Sequence, residues 1–392
     1  MSLLGKFVFH NVGQGLFYSG LIKYKNNKFS FIYDCGGSEE YIKCVIDDYL
    51  NYLNEKNTDM LVISHFHKDH INGLEYLLKK NKPKYVFLPY FTEIERLYIL
   101  TKNLSFAKNN HWYLEFLQDP TNFLIEYGIN KNNIYYIHPS NHNGEDDIPN
   151  VEDNDNFELQ INLGNVNNEE SLEGNHKSDK GDIKIKYWMF RFFCLKKDLK
   201  EFKDCILDKK LDIKKVDLSD KKTVEYLKQC YKKIKGNFND TSLVMLHKPL
   251  VKIDNYEIFY NYFPYKYKIC YRTCFVPYGK KLMLENKSFA QILTGDINLK
   301  ANKNYKEFKN HYKNYLKEVC VFQIPHHGAK SNWNKNLLQD IKNCYFWIAN
   351  AGKYNKYNHP SFSIFLDVIE EDKCFICVNE SPFNRFILKI RS

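Results

Sequence analysis

The segment "SHFHKDH", Ser64 to His70, places three histidines and one aspartate within six residues, directly after the apolar run "DMLVI". In an extended chain residues i and i+2 point to the same side. His65 and His67 therefore reach one metal ion together. Asp69 and His70 follow at the turn into the next helix and reach a second ion nearby. Burying so many imidazoles without a metal would leave polar atoms unpaired, which costs free energy. Metal ligation is the reading that accounts for all four.

Further ligand-type residues stand at the ends of other apolar runs. "FIYDCGG" ends on Asp34, "ILTGD" on Asp296 and "VFQIPHHG" on His326 and His327, and "NKYNHPSF" carries His359. His10, His111, His138, His142, His176, His247 and His311 belong to no such pattern and read as surface or packing residues, with His247, beside the "LVML" strand, the first exception to consider.

The elements that must hold these side chains alternate. From Gly5 to Cys35 the text reads as strand, turn, strand. "SEEYIKCVIDDYLNYLNEKN" has helical spacing, with Ser38 as its cap. "DMLVISH" and "KYVFLPY" are buried strands, with the helix "INGLEYLLKKN" between them. This alternation defines an α/β layered fold. Residues 94–127 read as helical, and 141–182 as a polar, acidic loop. "IKIKYWMFRFFCL" reads as one strand, and two lysine-rich helices follow. Strand text resumes at "TSLVMLHKPLV", "KICYRTCFV" and "FAQILTGD". The last third alternates helices with "CVFQIPHHG", "CYFWIANAG", "CFICVN" and "RFILKI".

The chain has 392 residues, 44% hydrophobic and 16% aromatic, which describes a folded globular protein and not a disordered one. Its net charge of +10 favours a polyanionic or phosphate-bearing partner. The 11 cysteines follow no framework. The opening residues lack a secretory pattern, and no run approaches the roughly 18 apolar residues of a membrane helix. The expectation is a cytoplasmic protein with reduced thiols and no membrane contact. "CYRTC" and "CFIC" are set aside as a zinc site, because strand alternation separates each pair of cysteines.

H-x-H-x-D-H after a hydrophobic strand resembles the metallo-β-lactamase superfamily. "NVGQG", "NDTSLVML", "IPHHG" and N-x-x-N-H-P together look like its branch containing the metallo-β-lactamase domain of the DNA-uptake protein ComEC, and phosphorylcholine esterase-like enzymes. The resemblance covers residues 5–90 and about 237–392. It implies an αββα sandwich, one domain over 1–392 with a helical and loop insertion at 94–236. It also implies two divalent ions bridged by Asp296, with His65, His67 and His326 on one and Asp69, His70 and His359 on the other. Asp34 would brace a ligand, and His327 would bind a substrate oxygen or protonate the leaving group. Asp69, Asp296 and His327 are then the expected catalytic groups. The mixed nitrogen and oxygen donors suit zinc, with manganese and iron allowed.

The chain departs from the wider family in two places. Where many members carry a G-H-T histidine, "FNDTSL" has Asn239 and Asp240, which join Asp34 among the residues expected behind the ligands. After "VGQG" the branch carries an acid, and here the residue is Leu16. The resulting expectation is a metal-dependent phosphodiesterase, in particular a nuclease, serving as a bacterial antiviral defence effector. Two alternatives stay open: hydrolysis of a small ester, lactone or lactam, and a subunit of a larger complex docked through 94–236.

Overall fold

A computed structural model of the chain describes residues 3–53, 57–140, 157–166, 172–196, 199–207, 212–232, 242–251, 258–261, 281–282, 289–381 and 384–391, with 258–261 and 281–282 described by backbone. Its strands are β1 (Leu3–Phe9), β2 (Phe17–Tyr24), β3 (Asn27–Cys35), β4 (Met60–Val62), β5 (Tyr85–Pro89), β6 (Ile134–His138), β7 (Gln160–Asn165), β8 (Asn175–Ile185), β9 (Trp188–Phe193), β10 (Val244–Pro249), β11 (Ile258–Asn261), β12 (Lys281–Leu282), β13 (Ala290–Leu293), β14 (Val319–Gln323), β15 (Phe346–Asn350), β16 (Cys374–Val378) and β17 (Phe386–Arg391). Its helices are α1 (Ile42–Leu53), α2 (Lys68–Ile71), α3 (Leu74–Lys80), α4 (Glu93–Lys102), α5 (Leu104–Asn109), α6 (His111–Gln118), α7 (Pro120–Glu126), α8 (Lys200–Leu207), α9 (Lys221–Lys232), α10 (Asn302–Tyr312), α11 (Asn336–Asp340) and α12 (Phe362–Glu370).

The strands form one hydrogen-bonded ladder folded into two facing halves. In the first, β17, β1, β2 and β3 pair antiparallel, and β3, β4, β5 and β6 run parallel. In the second, β9, β10 and β13 pair antiparallel, and β13 to β16 run parallel. The long strand β8 joins the halves: its start lies parallel to β6 and its end antiparallel to β9. Phe7, Phe31, Met60 and Val62 of one half meet Phe190, Met245, Phe289 and Leu293 of the other in the central core. Helices α1 and α3–α9 cover one outer face, and α10–α12 cover the other. The result is the αββα sandwich of the metallo-β-lactamase fold. Its parallel strands are buried on both faces, which is why "MLV" and "FWIA" read as unbroken apolar runs.

Several local expectations change. The stretch from Gly5 to Cys35 makes three strands, because "NVGQG" is a loop between β1 and β2. Helix α1 begins at Ile42, and Ser38 contributes its carbonyl, not its side chain, to the preceding turn. "IKIKYWMFRFFCL" is a hairpin turning at Lys186 and Tyr187. Part of the acidic 141–182 segment is ordered as β7 and β8, whose polar text is tolerated because β8 finds ladder partners in β6, β7 and β9. The 94–236 segment thus contributes strands to the sandwich as well as helices.

The expectation of reduced thiols is corrected at one pair. Cys205 of α8 is bonded to Cys230 of α9, since the amphipathic faces of the two helices bring both sulfurs into one buried contact. Cys35, Cys44, Cys194, Cys320 and Cys344 are free thiols. Asn239, Asp240, His142 and "CYRTC" lie outside the described residues. Of the remaining non-motif histidines, His10 hydrogen-bonds Ser19 (2.8 Å) and His247 hydrogen-bonds Tyr18 (2.8 Å), both inside the core.

Candidate metal centre

Asp34 and most of the expected ligands stand at or just past the carboxyl ends of parallel strands, where loops of an α/β sheet gather. Asp34 stands near the end of β3, His65 to His70 follow β4, Asp296 follows β13, and His326 and His327 follow β14. The two halves bring these ends to one place.

Asp296 lies at the seam. Its Oδ2 is 3.5 Å from His65 Nε2 and 3.6 Å from His326 Nε2. Its Oδ1 is 3.1 Å from His70 Nε2 and 3.7 Å from His327 Nε2. One carboxylate therefore divides its oxygens between two histidine pairs. Two donor clusters result: His65, His67 and Asp296, and Asp69, His70 and His327. Within each, the donor atoms lie within 4.8 Å of one another.

The rings are oriented from behind. Asp34 accepts hydrogen bonds from the Ser64 amide and hydroxyl (2.6 Å each) and from His70 Nδ1 (2.7 Å). With its proton committed to Asp34, the Ser64 hydroxyl accepts from His65 Nδ1 (2.8 Å). His327 Nδ1 donates to the Asn350 carbonyl (2.7 Å), and His326 Nδ1 to Asn332 Oδ1 (3.1 Å). In all four rings Nδ1 is occupied, which fixes the tautomer and turns the Nε2 lone pair inward. His65 Nε2 and His67 Nε2 are buried with no hydrogen-bond partner. Inward-facing lone pairs beside ionised carboxylates fit divalent cations well and fit an apolar void badly.

Electrostatics agree. Burial, aided by the neighbouring His70, lowers His65, and burial with the Lys102 charge puts His67 well below the usual imidazole range. Burial alone would raise Asp296, but His326, His70 and His327 hold it well below the carboxylate range. For Asp69 burial again acts upward, and the hydrogen bond from His327 together with the His70 and His327 charges outweighs it and lowers the group. Burial opposes a charge on His70, yet Asp296 and Asp34 raise it far above normal. The carboxylates demand positive charge, as a proton or a metal.

Two placements differ from the sequence expectation. His327, reserved there for substrate, has Nε2 3.2 Å from Asp69 Oδ2 and stands in the second cluster. His359, expected in that cluster, lies beside His326 with ring centroids 5.6 Å apart. The cause is local backbone geometry. His326 and His327 both adopt left-handed conformations (φ 49° and 56°), so the tight turn sends both rings into the site.

Residues to which the sequence assigned no role complete the support. Asn332 is buried and donates to the Asp296 carbonyl (2.9 Å) while accepting from His326. Ser242 donates nothing visible in sequence, yet its Oγ accepts from the Asp296 amide (2.9 Å). Phe66, between two ligand histidines, packs on Phe91 and Phe116, and its carbonyl accepts from Tyr113 (2.8 Å). The helices of 94–236 therefore clamp the ligand loop. The "VGQG" motif serves the same loop: the buried Leu16 uses its amide to reach the Asp69 carbonyl (3.3 Å). A Cβ on Gly15 would sit 2.4 Å from that carbonyl oxygen.

A cleft of about 830 Å³ opens over the centre. Lys68, Lys102, Phe106, Lys356, Tyr357 and His359 are among its walls.

The family model of the metallo-beta-lactamase superfamily matches residues 14–87, the span from the "VGQG" loop through the ligand loop to β5. A comparison with curated proteins returns no match. Among solved structures, the chain is similar to the metallo-beta-lactamase fold protein YhfI from Bacillus subtilis, with 13% identity and a TM-score of 0.21, over 49% of this chain and 52% of that one. It is also similar to a long form RNase Z from yeast, with 12% identity and a TM-score of 0.26, over 96% of this chain and 37% of that one. The chain thus spans about half or less of the length of these two proteins.

Proposed function

We propose that the chain is a two-metal hydrolase whose substrates are phosphodiesters of nucleic acid. The observation that carries this reading is Asp296 dividing its oxygens between two histidine pairs beneath a lysine-lined cleft. His65, His67 and His326 would hold one divalent ion and Asp69, His70 and His327 the other, with Asp296 shared. Zinc suits these donors, and manganese or iron is compatible with them. When bound, such a pair supplies Lewis acidity toward both the phosphoryl oxygen and the attacking water.

The chain's own residues do the rest. Asp34 and Asn332 keep the imidazole lone pairs aimed inward. Asp69 remains ionised and orients His327. Lys68, Lys102 and Lys356 place positive charge where the phosphate oxygens of a bound diester would lie. His359, lowered to about 4 by burial and by His327 and His326, is neutral at physiological pH and is suited to accept a hydrogen bond from substrate.

The test is hydrolysis of single-stranded DNA, duplex DNA, RNA and bis-p-nitrophenyl phosphate with zinc, with manganese and without metal. We expect metal-dependent cleavage of a polymer, reduced at least about a hundredfold by Asp69→Ala. Cleavage of the small diester alone would move the substrate to small molecules. Silence on all four, with bound metal verified by elemental analysis, would sink the reading.

A further inference from the structure

Among the described residues, the three most exposed large hydrophobic side chains fall within one short segment: Tyr354 (82%), Tyr357 (58%) and Phe362 (59%). Rings this large are ordinarily covered, and their concentration at one place marks a contact surface. The segment borders the metal cleft, since Lys356 and Tyr357 line it together with His326, His327 and His359.

The loop that carries the rings is firmly held. Asn355 donates to the Gly352 and His359 carbonyls (2.7 and 2.6 Å) and accepts from the His359 and Tyr357 amides (2.9 and 3.2 Å). From outside, Gln14 accepts from the Gly352 amide (3.2 Å) and Glu380 from the Lys353 amide (3.0 Å). The tyrosines are thus presented on a fixed frame, which lowers the entropy lost when something binds them. Lys353 and Lys356 alternate with the two tyrosines along the loop.

We propose that this segment is a stacking platform for the unpaired bases of a single-stranded nucleic acid, which leads its backbone into the metal cleft. The choice of substrate rests on the phosphodiesterase reading, whereas the stacking does not. Aromatic faces accept any base, and interleaved lysines meet the phosphates between them. A duplex hides its base faces and cannot use exposed rings in this way. A net charge of +10 draws a polyanion toward the molecule as a whole.

The experiment is fluorescence anisotropy of the full chain with a short fluorescein-labelled oligothymidylate and with a duplex of equal length. EDTA is present so that nothing is cut. We expect the single strand to bind more tightly than the duplex. Tyr354→Ala and Phe362→Ala should each weaken single-strand binding by about tenfold, and Tyr354→Phe should retain it. Lys353→Gln with Lys356→Gln should flatten the salt dependence. Unchanged affinity in both alanine variants, or a preference for duplex, would overturn the platform. Ring-dependent binding in a protein that hydrolyses no phosphodiester would support the platform and remove only the hydrolytic reading. Hydrolysis of bis-p-nitrophenyl phosphate together with ring-independent binding would do the reverse.

Discussion

Asn332 shows how much of this centre depends on a residue with no chemistry of its own. It is buried, it accepts from His326 Nδ1, and it donates to the Asp296 carbonyl. Removing it leaves the His326 N–H without its acceptor and loosens two candidate ligands at once. Asn332→Ala should lower metal affinity by about 10- to 100-fold, measured by competition with a chromophoric chelator. Asn332→Asp, which keeps the acceptor for His326, should lose less. Equal metal affinity in all three proteins would remove Asn332 from the site. Asp34 makes the same point from the other half, with a left-handed backbone (φ 59°) at a non-glycine residue that carries three hydrogen bonds.

Strands β2 and β10 meet across the sandwich through Tyr18 and His247. His247 is fully buried among Phe7, Phe31 and Trp188. Burial lowers its pKa to about 3. His10 is likewise lowered to about 3, by burial and then by Arg385. In the unfolded chain both titrate near the ordinary imidazole value. As pH falls below about 6.5, the unfolded state takes up protons that the folded state refuses, so this stability is complete above that pH and is lost toward pH 3. Each histidine contributes a slope of up to about 1.4 kcal/mol per pH unit in that window. His247→Gln, which keeps an acceptor for Tyr18, should flatten the decline between pH 6 and pH 4 in denaturant titrations. An unchanged slope would mean that His247 is not held neutral by burial.

The whole molecule is closed by its candidate site. His65, His67, Asp69 and His70 come from one half, and Asp296, His326 and His327 from the other. Ions bound among them would tie the halves together and stabilise the folded state in proportion to affinity and concentration. Chelation should therefore lower the Tm of the wild-type chain, and added zinc should restore it. Asp69→Ala should show a smaller shift. A Tm indifferent to both treatments would mean that the centre holds no metal in the folded protein. The helices of 94–236 hold the ligand loop from outside, since Phe66 packs on Phe116 and its carbonyl accepts from Tyr113, and Lys102 lines the cleft.

The sequence by itself pointed to the candidate donors. Histidine and aspartate at i, i+2, i+4 and i+5 after a buried strand have few uses besides metal ligation, and the β/α alternation around them defines an α/β layered fold. Asp34, Asp296 and His326 were legible because each ends an apolar run. Tertiary structure alone decided how the donors are shared. The left-handed pair at His326 and His327 sets His327 beside Asp69 and leaves His359 beside His326, and neighbouring residue types do not announce φ. Asn332, Ser242 and Phe66 were invisible for another reason: a hydrogen bond or ring contact from a residue far along the chain leaves no periodicity to read. The exposed tyrosines were legible as residues, but their exposure was not, because whether a ring lies inside or outside depends on what folds over it.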